Sequence, residues 1–243
     1  MTLTNDEIWL RSLAQKNSVT ITDIQLQKIS QYVELLKEWN KSINLVSRKD
    51  VESLWLNHIL LSLAFLFKVE FTADSKILDL GTGGGLPGIP LSIVRTDATF
   101  VLLDSIRKKT KAVEDMVASL ELPNVSVVCS RAEDLNKGTA YQGAFDAVIA
   151  RSVSGLENLV CWGMPFLKKS NAPEPSRAKS ENIVISNSPV LITMKGGNTE
   201  VEIEKTLRRF PGVKIHSMAL TFKGSELLQN SDKKFIVVEN VKR

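Results

Sequence analysis

Several features that often reveal a protein's chemistry are scarce in this chain of 243 residues, which contains two cysteines. Cys129 and Cys161 have no CxxC spacing and no neighbouring histidine, so we expect a reducing, cytoplasmic compartment, no disulfide framework and no metal site. We expect both to be buried as small apolar side chains. The longest apolar stretch, 59–67, has nine residues and is interrupted by Ser62, whereas a membrane span needs about 20. No secretory signal is visible at the start, so we expect no membrane association.

Near the end of the chain, basic residues outnumber acidic ones. The whole chain has a formal net charge of +4. Nine basic and three acidic residues follow position 204, so this last part has a net charge of +6 and the first 204 residues have −2. A basic segment indicates a polyanion, such as nucleic acid, as partner. The alternative is a solvated surface on a lysine-rich protein, and charge by itself is compatible with both.

The spacing of apolar residues changes at Lys76. Before it, the pattern predicts three helices: one capped by Asn5 or Asp6 and running to about Lys16, a second capped by Thr22 or Asp23 with apolar residues at intervals of three and four up to Trp39, and a third over about 50–67. After it, short apolar runs typical of strands alternate with segments typical of helices. This alternation predicts an α/β fold with a parallel sheet and helices on both faces.

The length allows one large domain, or one domain with a small appendage, and a composition of 43% apolar and 24% charged residues is that of a globular protein. We expect a helical N-terminal cap over 1–72 and a sheet domain over 73–243. The segment at about 168–189, rich in serine, proline and charge, is predicted to be an insertion in that domain. Segments 213–222 and 234–239 are predicted to close the sheet as an antiparallel pair, giving seven strands.

A glycine-rich run, here called the glycine loop (residues 81–88), follows the first predicted strand and opens a helix. In an open α/β sheet this turn is the usual ligand site. Residues 83–88 match G-x-G-x-x-G, the dinucleotide fingerprint, in which Asp104 would bind the ribose of a nicotinamide cofactor. Residues 79–85 also match D-x-G-x-G-x-G, the nucleoside-binding loop of S-adenosylmethionine methyltransferases. There, Asp104 would accept hydrogen bonds from both ribose hydroxyls.

Purely structural roles are the alternatives for the two acids of this region. Asp79 could have a purely structural role at the end of its strand, and Asp104 could be the N-cap of the following helix. Two later features favour the methyltransferase over the dinucleotide enzyme. The run RAED at 131–134 follows the third strand, and residues at that place usually flank the adenine of the cofactor. The strand at 145–150 leads to the reaction centre.

The chain also carries a series of short motifs in a fixed order. The most specific is GTGGGLPGIPL, from Gly81 to Leu91. The others are Trp39-Asn40-Lys41, Asn44-Leu45, His58-Ile59-Leu60 with Ser62, Leu102-Leu103-Asp104-Ser105, Ser130-Arg131-Ala132-Glu133, Asp146 with Ala150-Arg151, and Lys195-Gly196. In these motifs the chain resembles the bacterial small-subunit ribosomal RNA guanine-N7 methyltransferases, the glucose-inhibited division protein B (GidB) family. The chain has Leu61 where that family usually has an acid.

This resemblance implies a class I, Rossmann-like methyltransferase fold and S-adenosylmethionine as cofactor. It implies small-subunit ribosomal RNA or its precursor particle as partner, and we expect a monomer. A bulky side chain at Gly81 is expected to enter the space where the backbone meets the cofactor. The loop pattern and the resemblance together give as cofactor-binding residues Asp79, Gly81, Gly83, Leu86, Asp104, Ala132, Glu133 and Arg151.

Methylation of guanine N7 needs no general base, because N7 has a lone pair and no proton. Catalysis then rests mainly on positioning. The chain has Ala-Arg-Ser-Val at 150–153, and therefore neither the Asn-Pro-Pro-Tyr type of motif of amino-group methylation nor the Pro-Cys of pyrimidine C5 methylation. The candidates for holding the base and phosphates are His58, Arg131, Arg151 and Lys195, since a guanidinium can pair with guanine O6 or phosphate.

These candidates have structural alternatives. His58 could be a satisfied core histidine, Arg131 could pair with a neighbouring surface acid, and Lys195 could be a strand-end residue without a role. We nevertheless expect Arg131, Arg151, Lys195 and the basic residues after Lys205 to converge at the carboxyl edge of the sheet. For the whole protein, the alternative is a non-catalytic RNA-binding assembly factor on a methyltransferase fold, but the intact glycine loop favours the enzyme.

Overall fold

Two helices begin the chain, as the apolar spacing predicts. Helix α1 spans Asn5–Lys16 and α2 spans Asp23–Asn40. Thr4 and Thr22 cap them: each side chain accepts a hydrogen bond from the third helical residue, whose side chain accepts one from the backbone of the cap. The structure is a computed structural model that describes residues 2–47, 49–138, 140–169, 183–184, 189–228 and 232–240.

The third predicted helix, 50–67, is divided into three pieces. Val51–Ser53 is a 3₁₀ turn, Trp55–Leu60 is a π-helix, and α3 spans Leu61–Lys68. The prediction of one regular helix is therefore wrong in its first half. A π-helical turn changes the direction of side chains and carbonyls, and such turns are frequent at functional sites.

Seven strands form one sheet, and two very short strands pair separately. The strands are β1 (Val69–Glu70), β2 (Lys76–Leu80), β3 (Thr99–Asp104), β4 (Val125–Cys129), β5 (Ala147–Arg151), β6 (Ile183–Val184), β7 (Val190–Lys195), β8 (Val213–Ala219) and β9 (Lys234–Asn240). The order in the sheet is β4-β3-β2-β5-β7-β9-β8, in which the first five are parallel and β9 is antiparallel to both neighbours. The predicted sheet and its closing pair are confirmed. Strands β1 and β6, which form a parallel pair, were not expected.

The remaining helices follow the strands in turn. They are α4 (Gly88–Val94), α5 (Arg107–Ser119), α6 (Ala132–Leu135), α7 (Leu156–Gly163) and α8 (Glu200–Arg209). Helix α7 ends at Gly163, where the chain continues as a 3₁₀ turn that contains Pro165. A last 3₁₀ turn covers Ser225–Leu227.

Side chains of the sheet alternate between two apolar cores. Ile149 and Ile192 face the core that α1 to α5 cover, whereas Val148 and Leu191 face the core with α6, α7 and α8. Helices on both faces were predicted and are confirmed. Because the N-terminal helices share a core with the sheet, the domain boundary near residue 72 stays a prediction.

Two further expectations concern the middle of the chain. The predicted insertion at 168–189 lies outside the described residues, apart from 168–169, 183–184 and 189. The predicted burial of the cysteines is wrong, since Cys161 is exposed and Cys129 half-buried. The buried residues of α7 include Leu159 and Val160, so Cys161 lies on the opposite side of that helix. Within the described ranges, no helix is both long and apolar enough to cross a membrane.

Candidate active site

The carboxyl ends of the parallel strands border a cavity of about 790 Å³, a volume typical of small-ligand sites. Arg131 after β4, Arg151 at the end of β5 and Lys195 at the end of β7 all line it. Their predicted convergence at one edge is confirmed. Among the described basic residues after position 204, Lys233 is the one that reaches the cavity wall, so convergence of the whole basic segment is wrong.

The glycine loop is fastened to the elements around it. The amides of Gly81 and Thr82 donate to the carbonyl of Leu103, near the end of β3, at 2.8 and 2.9 Å. From α2, the Tyr32 hydroxyl donates to the Gly84 carbonyl at 2.9 Å. Burial raises the pKa of Tyr32 far above its usual range, so the hydroxyl keeps the proton that it donates. The loop is therefore held between the sheet and the N-terminal helices.

Asp79 is fully buried beneath the loop. Its Oδ2 accepts hydrogen bonds from the Thr82 hydroxyl at 2.7 Å and the Gly88 amide at 2.9 Å. Its Oδ1 is buried and has no hydrogen-bond partner among the described residues. Burial raises the pKa of Asp79 to about 6, against the opposing effects of these hydrogen bonds and of Arg151. Asp79 thus holds the loop in place and keeps one oxygen for another donor.

Three loop glycines have a positive φ: Gly81 with +75°, Gly83 with +59° and Gly85 with +95°. A Cβ on Gly81 would lie 2.6 Å from the Val153 side chain, so a larger residue would collide with the segment after β5. Val153 itself lines the cavity, and the expectation that a bulky side chain at Gly81 would enter the cofactor space stays a prediction. At Gly83, the nearest atom to a Cβ would be the Gly81 carbonyl oxygen, 4.0 Å away, so the loop is open to the cavity here.

Asp104 lies beside the loop at the end of β3. Its Oδ2 accepts from the Gly83 amide at 3.0 Å, and its Oδ1 accepts from the Ile106 amide at 2.9 Å. It is not the N-cap of α5, since that position is Ile106. Each carboxylate oxygen has a further lone pair, so Asp104 can still accept from two hydroxyls. The other cavity residues predicted to bind the cofactor are Leu86, Ala132 and Glu133.

Arg151 and His58 contact each other on the cavity wall. The guanidinium donates to His58 Nδ1 at 2.8 Å and to the carbonyls of Asn57 and His58 at 3.4 and 3.3 Å. Burial, followed by the Arg151 charge, lowers the pKa of His58 to about 4. The neutral ring accepts at Nδ1 and carries its proton on Nε2, because arginine only donates. Nε2 has no hydrogen-bond partner within the described ranges and is 3.8 Å from Asp50 Oδ2.

The π-helix explains how Arg151 is held. It places two main-chain carbonyls and one imidazole nitrogen where a single guanidinium reaches all three. His58 is therefore not simply a satisfied core histidine, since it orients a charged side chain of the cavity. The apolar pattern of 50–67 predicts a helix but contains no sign of this irregular turn.

The segment between α2 and the π-helix forms a wall that the sequence analysis missed. Asn40 ends α2, and its side-chain oxygen accepts from the amides of Leu45 and Val46 at 2.8 and 2.9 Å. Asp50 accepts from the Ser47 hydroxyl at 2.5 Å, which lowers the pKa of its carboxyl. The motif Trp39-Asn40-Lys41 indicates Asn40 in the sequence, whereas no sequence pattern indicates Asp50.

Among the described residues, Lys195 forms an ion pair and Arg131 does not. The Lys195 ammonium donates to Glu202 at 2.7 Å and to the Ser154 carbonyl at 2.9 Å. Glu202 also accepts from the Leu156 amide at 2.5 Å, so this ion pair joins β7 to the starts of α7 and α8. Arg131 is exposed and forms no ion pair in the described part of the chain, so the surface pair considered as its alternative does not form.

These residues fit S-adenosylmethionine better than a dinucleotide. The cofactor has a cationic ammonium and sulfonium, which a buried carboxylate with an unpartnered oxygen favours, and two ribose hydroxyls, which Asp104 can accept. A pyrophosphate would bring negative charge to a loop that lies on the Asp79 carboxylate. The first amide of α4, that of Gly88, already donates to Asp79, so it is not available to a pyrophosphate.

Comparison with known proteins decides the family. A family model described as rRNA small subunit methyltransferase G, GidB, matches residues 25–230. The chain belongs to this family. One GidB-type relative, the ribosomal RNA small subunit methyltransferase G of Chlorobium luteolum, is 39% identical over 199 residues, which are 82% of this chain and 74% of the relative. The protein of the same name from Christiangramia forsetii is 38% identical over 192 residues, 79% and 82% of the two chains.

Solved structures support the GidB chain's fold class. A SAM-dependent methyltransferase from Aquifex aeolicus superimposes with a TM-score of 0.53 at 15% identity, covering 85% of this chain and 98% of that one. TrmN from Thermus thermophilus gives 0.52 at 14% identity, covering 75% and 48%. The predicted class I methyltransferase fold is confirmed. Among the described residues, no group of three or more histidine, cysteine or acidic side chains could hold a metal ion.

Proposed function

We propose that this protein transfers a methyl group from S-adenosylmethionine to N7 of a guanine in small-subunit ribosomal RNA. Membership of the GidB family supports the reaction class and the kind of RNA, since its relatives are named for that activity. The observation that carries the cofactor assignment is the buried Asp79 oxygen without a partner, which lies under an open glycine loop beside Asp104.

The cofactor would supply an electrophilic methyl group on a sulfonium. Asp79 would bind the cofactor ammonium through Oδ1, and Asp104 would accept from the ribose hydroxyls. The open backbone at Gly83 admits the ligand. The remaining contacts would come from residues that line the cavity: Gly81, Leu86, Ala132, Glu133 and Arg151.

The target base would be held rather than deprotonated. His58, with a pKa of about 4, is neutral at neutral pH and is already bonded to Arg151, which suits positioning more than proton transfer. Arg151 donating to guanine O6 would leave the N7 lone pair free to attack the methyl group. Arg131 and Lys233 would hold neighbouring phosphates. Lys195 would act mainly through its ion pair with Glu202.

The precursor particle of the small subunit is an equally suitable form of the substrate. We place the enzyme in the cytoplasm, where that RNA is made, and expect a monomer, which light scattering with and without RNA can test.

Methyl transfer itself separates this function from a non-catalytic assembly factor. Purified protein would be given labelled S-adenosylmethionine with naked small-subunit RNA and with small-subunit particles from cells that lack the enzyme. We expect label in one or both. RNA binding without transfer to either substrate would favour the assembly factor. Calorimetry with S-adenosylhomocysteine and with NADH tests the cofactor, and binding of NADH alone would reverse that assignment.

A further inference from the structure

Three basic residues, Arg107, Lys108 and Lys109, have no role in the site described so far and lie on the same side of the cavity as Arg131. Strands β3 and β4 are neighbours, and Asp104 is paired with Cys129 at their ends, so the segments that follow begin side by side. Lys109 on α5 and Arg131 before α6 both line the cavity. Arg107 and Lys108 lie next to Lys109 in the first turn of α5 and are exposed. We call Arg107, Lys108, Lys109 and Arg131 the α5 basic face.

None of these four cations forms an ion pair within the described ranges. The first turn of α5 also contains no acid. Arg107, Lys108 and Lys109 follow one another in this turn, so their like charges lie close together and repel. Arg131 is attracted by Asp134, but no ion pair among the described residues offsets the repulsion among Arg107, Lys108 and Lys109.

The basic residues of α8 behave differently. Lys205 pairs with Glu157 at 2.8 Å, and Arg209 reaches the same carboxylate at 3.5 Å. Arg208 pairs with Glu204 on the next turn. None of these three cations lines the cavity. Three of the nine basic residues after position 204 are thus paired with acids of the same face.

We infer that the α5 basic face binds the phosphate backbone of the RNA substrate beside the cavity that receives the target base. The inference rests on the proposed function, because it takes RNA as the partner, and it deepens it by assigning the docking surface to α5 instead of α8. Four cations on two adjacent segments can contact successive phosphates of one strand, which gives affinity without base specificity. Asp104 and Glu133, which also line the cavity, are assigned to the cofactor.

The test compares two double variants with the same change in charge. Arg107→Gln with Lys108→Gln removes two cations of the α5 basic face that do not line the cavity. Lys205→Gln with Arg208→Gln removes two paired cations of α8 and is the matched control. Affinity for in vitro transcribed small-subunit RNA is measured between about 50 and 200 mM salt. Binding of S-adenosylhomocysteine, followed by calorimetry, checks that each variant is folded.

For the α5 double variant we expect the slope of log affinity against log salt to become shallower by about 2, one for each lost phosphate contact. The α8 double variant should keep the wild-type slope. An unchanged slope in the α5 variant, or an equal loss in both variants, would overturn the docking surface. Methyl transfer by the wild type is measured separately: RNA binding with the expected slopes but no transfer would leave the surface standing and reject the proposed function.

Discussion

The buried carboxyl of Asp79 gives the site a pH dependence that can be measured. With a pKa of about 6 in the free protein, it is ionised above that pH and becomes protonated below it. A protonated carboxyl cannot attract a cationic ligand, so a proton and the cofactor ammonium compete. We therefore expect affinity for S-adenosylhomocysteine to fall as the pH decreases below about 6, by up to roughly tenfold per pH unit.

Asp79→Asn is the matched variant for this prediction. Its amide oxygen can keep the hydrogen bonds from Thr82 and Gly88, while its NH₂ group would face the position of the ammonium. We expect a loss of affinity of roughly ten- to a hundredfold at pH 7.5 and little pH dependence, as measured by calorimetry. A variant that keeps the wild-type pH profile would remove Asp79 from cofactor binding.

Arg151 is expected to affect turnover more than RNA affinity. It is one cation among several near the cavity, so Arg151→Ala should change RNA binding little. Loss of its position opposite the base should lower kcat by roughly a hundredfold at saturating cofactor and RNA. Arg151→Lys keeps the charge but loses the planar contacts with His58, and should recover only part of the rate. Wild-type turnover in Arg151→Ala would take this arginine out of the site.

Among the elements, the loop after α2 contributes both to the stability of the protein and to the wall of the cavity. Asn40→Ala would leave two amides, those of Leu45 and Val46, without their acceptor. We expect a loss of about 1–3 kcal/mol in the free energy of unfolding and weaker cofactor binding, because these residues line the cavity. Asn40→Asp keeps an acceptor oxygen and serves as the control in denaturant titrations. Equal stability of Asn40→Ala and the wild type would show that the loop is held by other contacts.

Regular elements could be predicted from the sequence, whereas local departures could not. The apolar runs at β3 and β7 are buried on both faces and have the length of strands, so the pattern identifies them directly. The π-helix depends on tertiary contacts between His58 and Arg151, which are 93 positions apart in the chain. The pairing of Lys195 with Glu202 likewise depends on how α8 returns to β7. Residues near the cavity were identified from motifs, but their partners required the fold.

For the whole molecule, the distribution of charge is more informative than its sum. The basic end of the chain includes paired cations on α8 and, at the start of β9, Lys233 and Lys234, of which Lys233 lines the cavity. Changing Lys233 and Lys234 together to Ala should weaken RNA binding and flatten its salt slope, with little effect on cofactor binding. An unchanged salt dependence would mean that the basic end is a solvated surface.

The most direct measurement for the account as a whole is the position of the transferred methyl group. Small-subunit RNA or particles methylated by the purified protein would be digested to nucleosides and analysed by mass spectrometry, with Arg151→Ala as the control of reduced activity. The account predicts 7-methylguanosine that depends on S-adenosylmethionine and falls strongly in the control. A methyl group on an exocyclic amine, on a ring carbon or on ribose would contradict it, as would the absence of transfer to any form of the RNA.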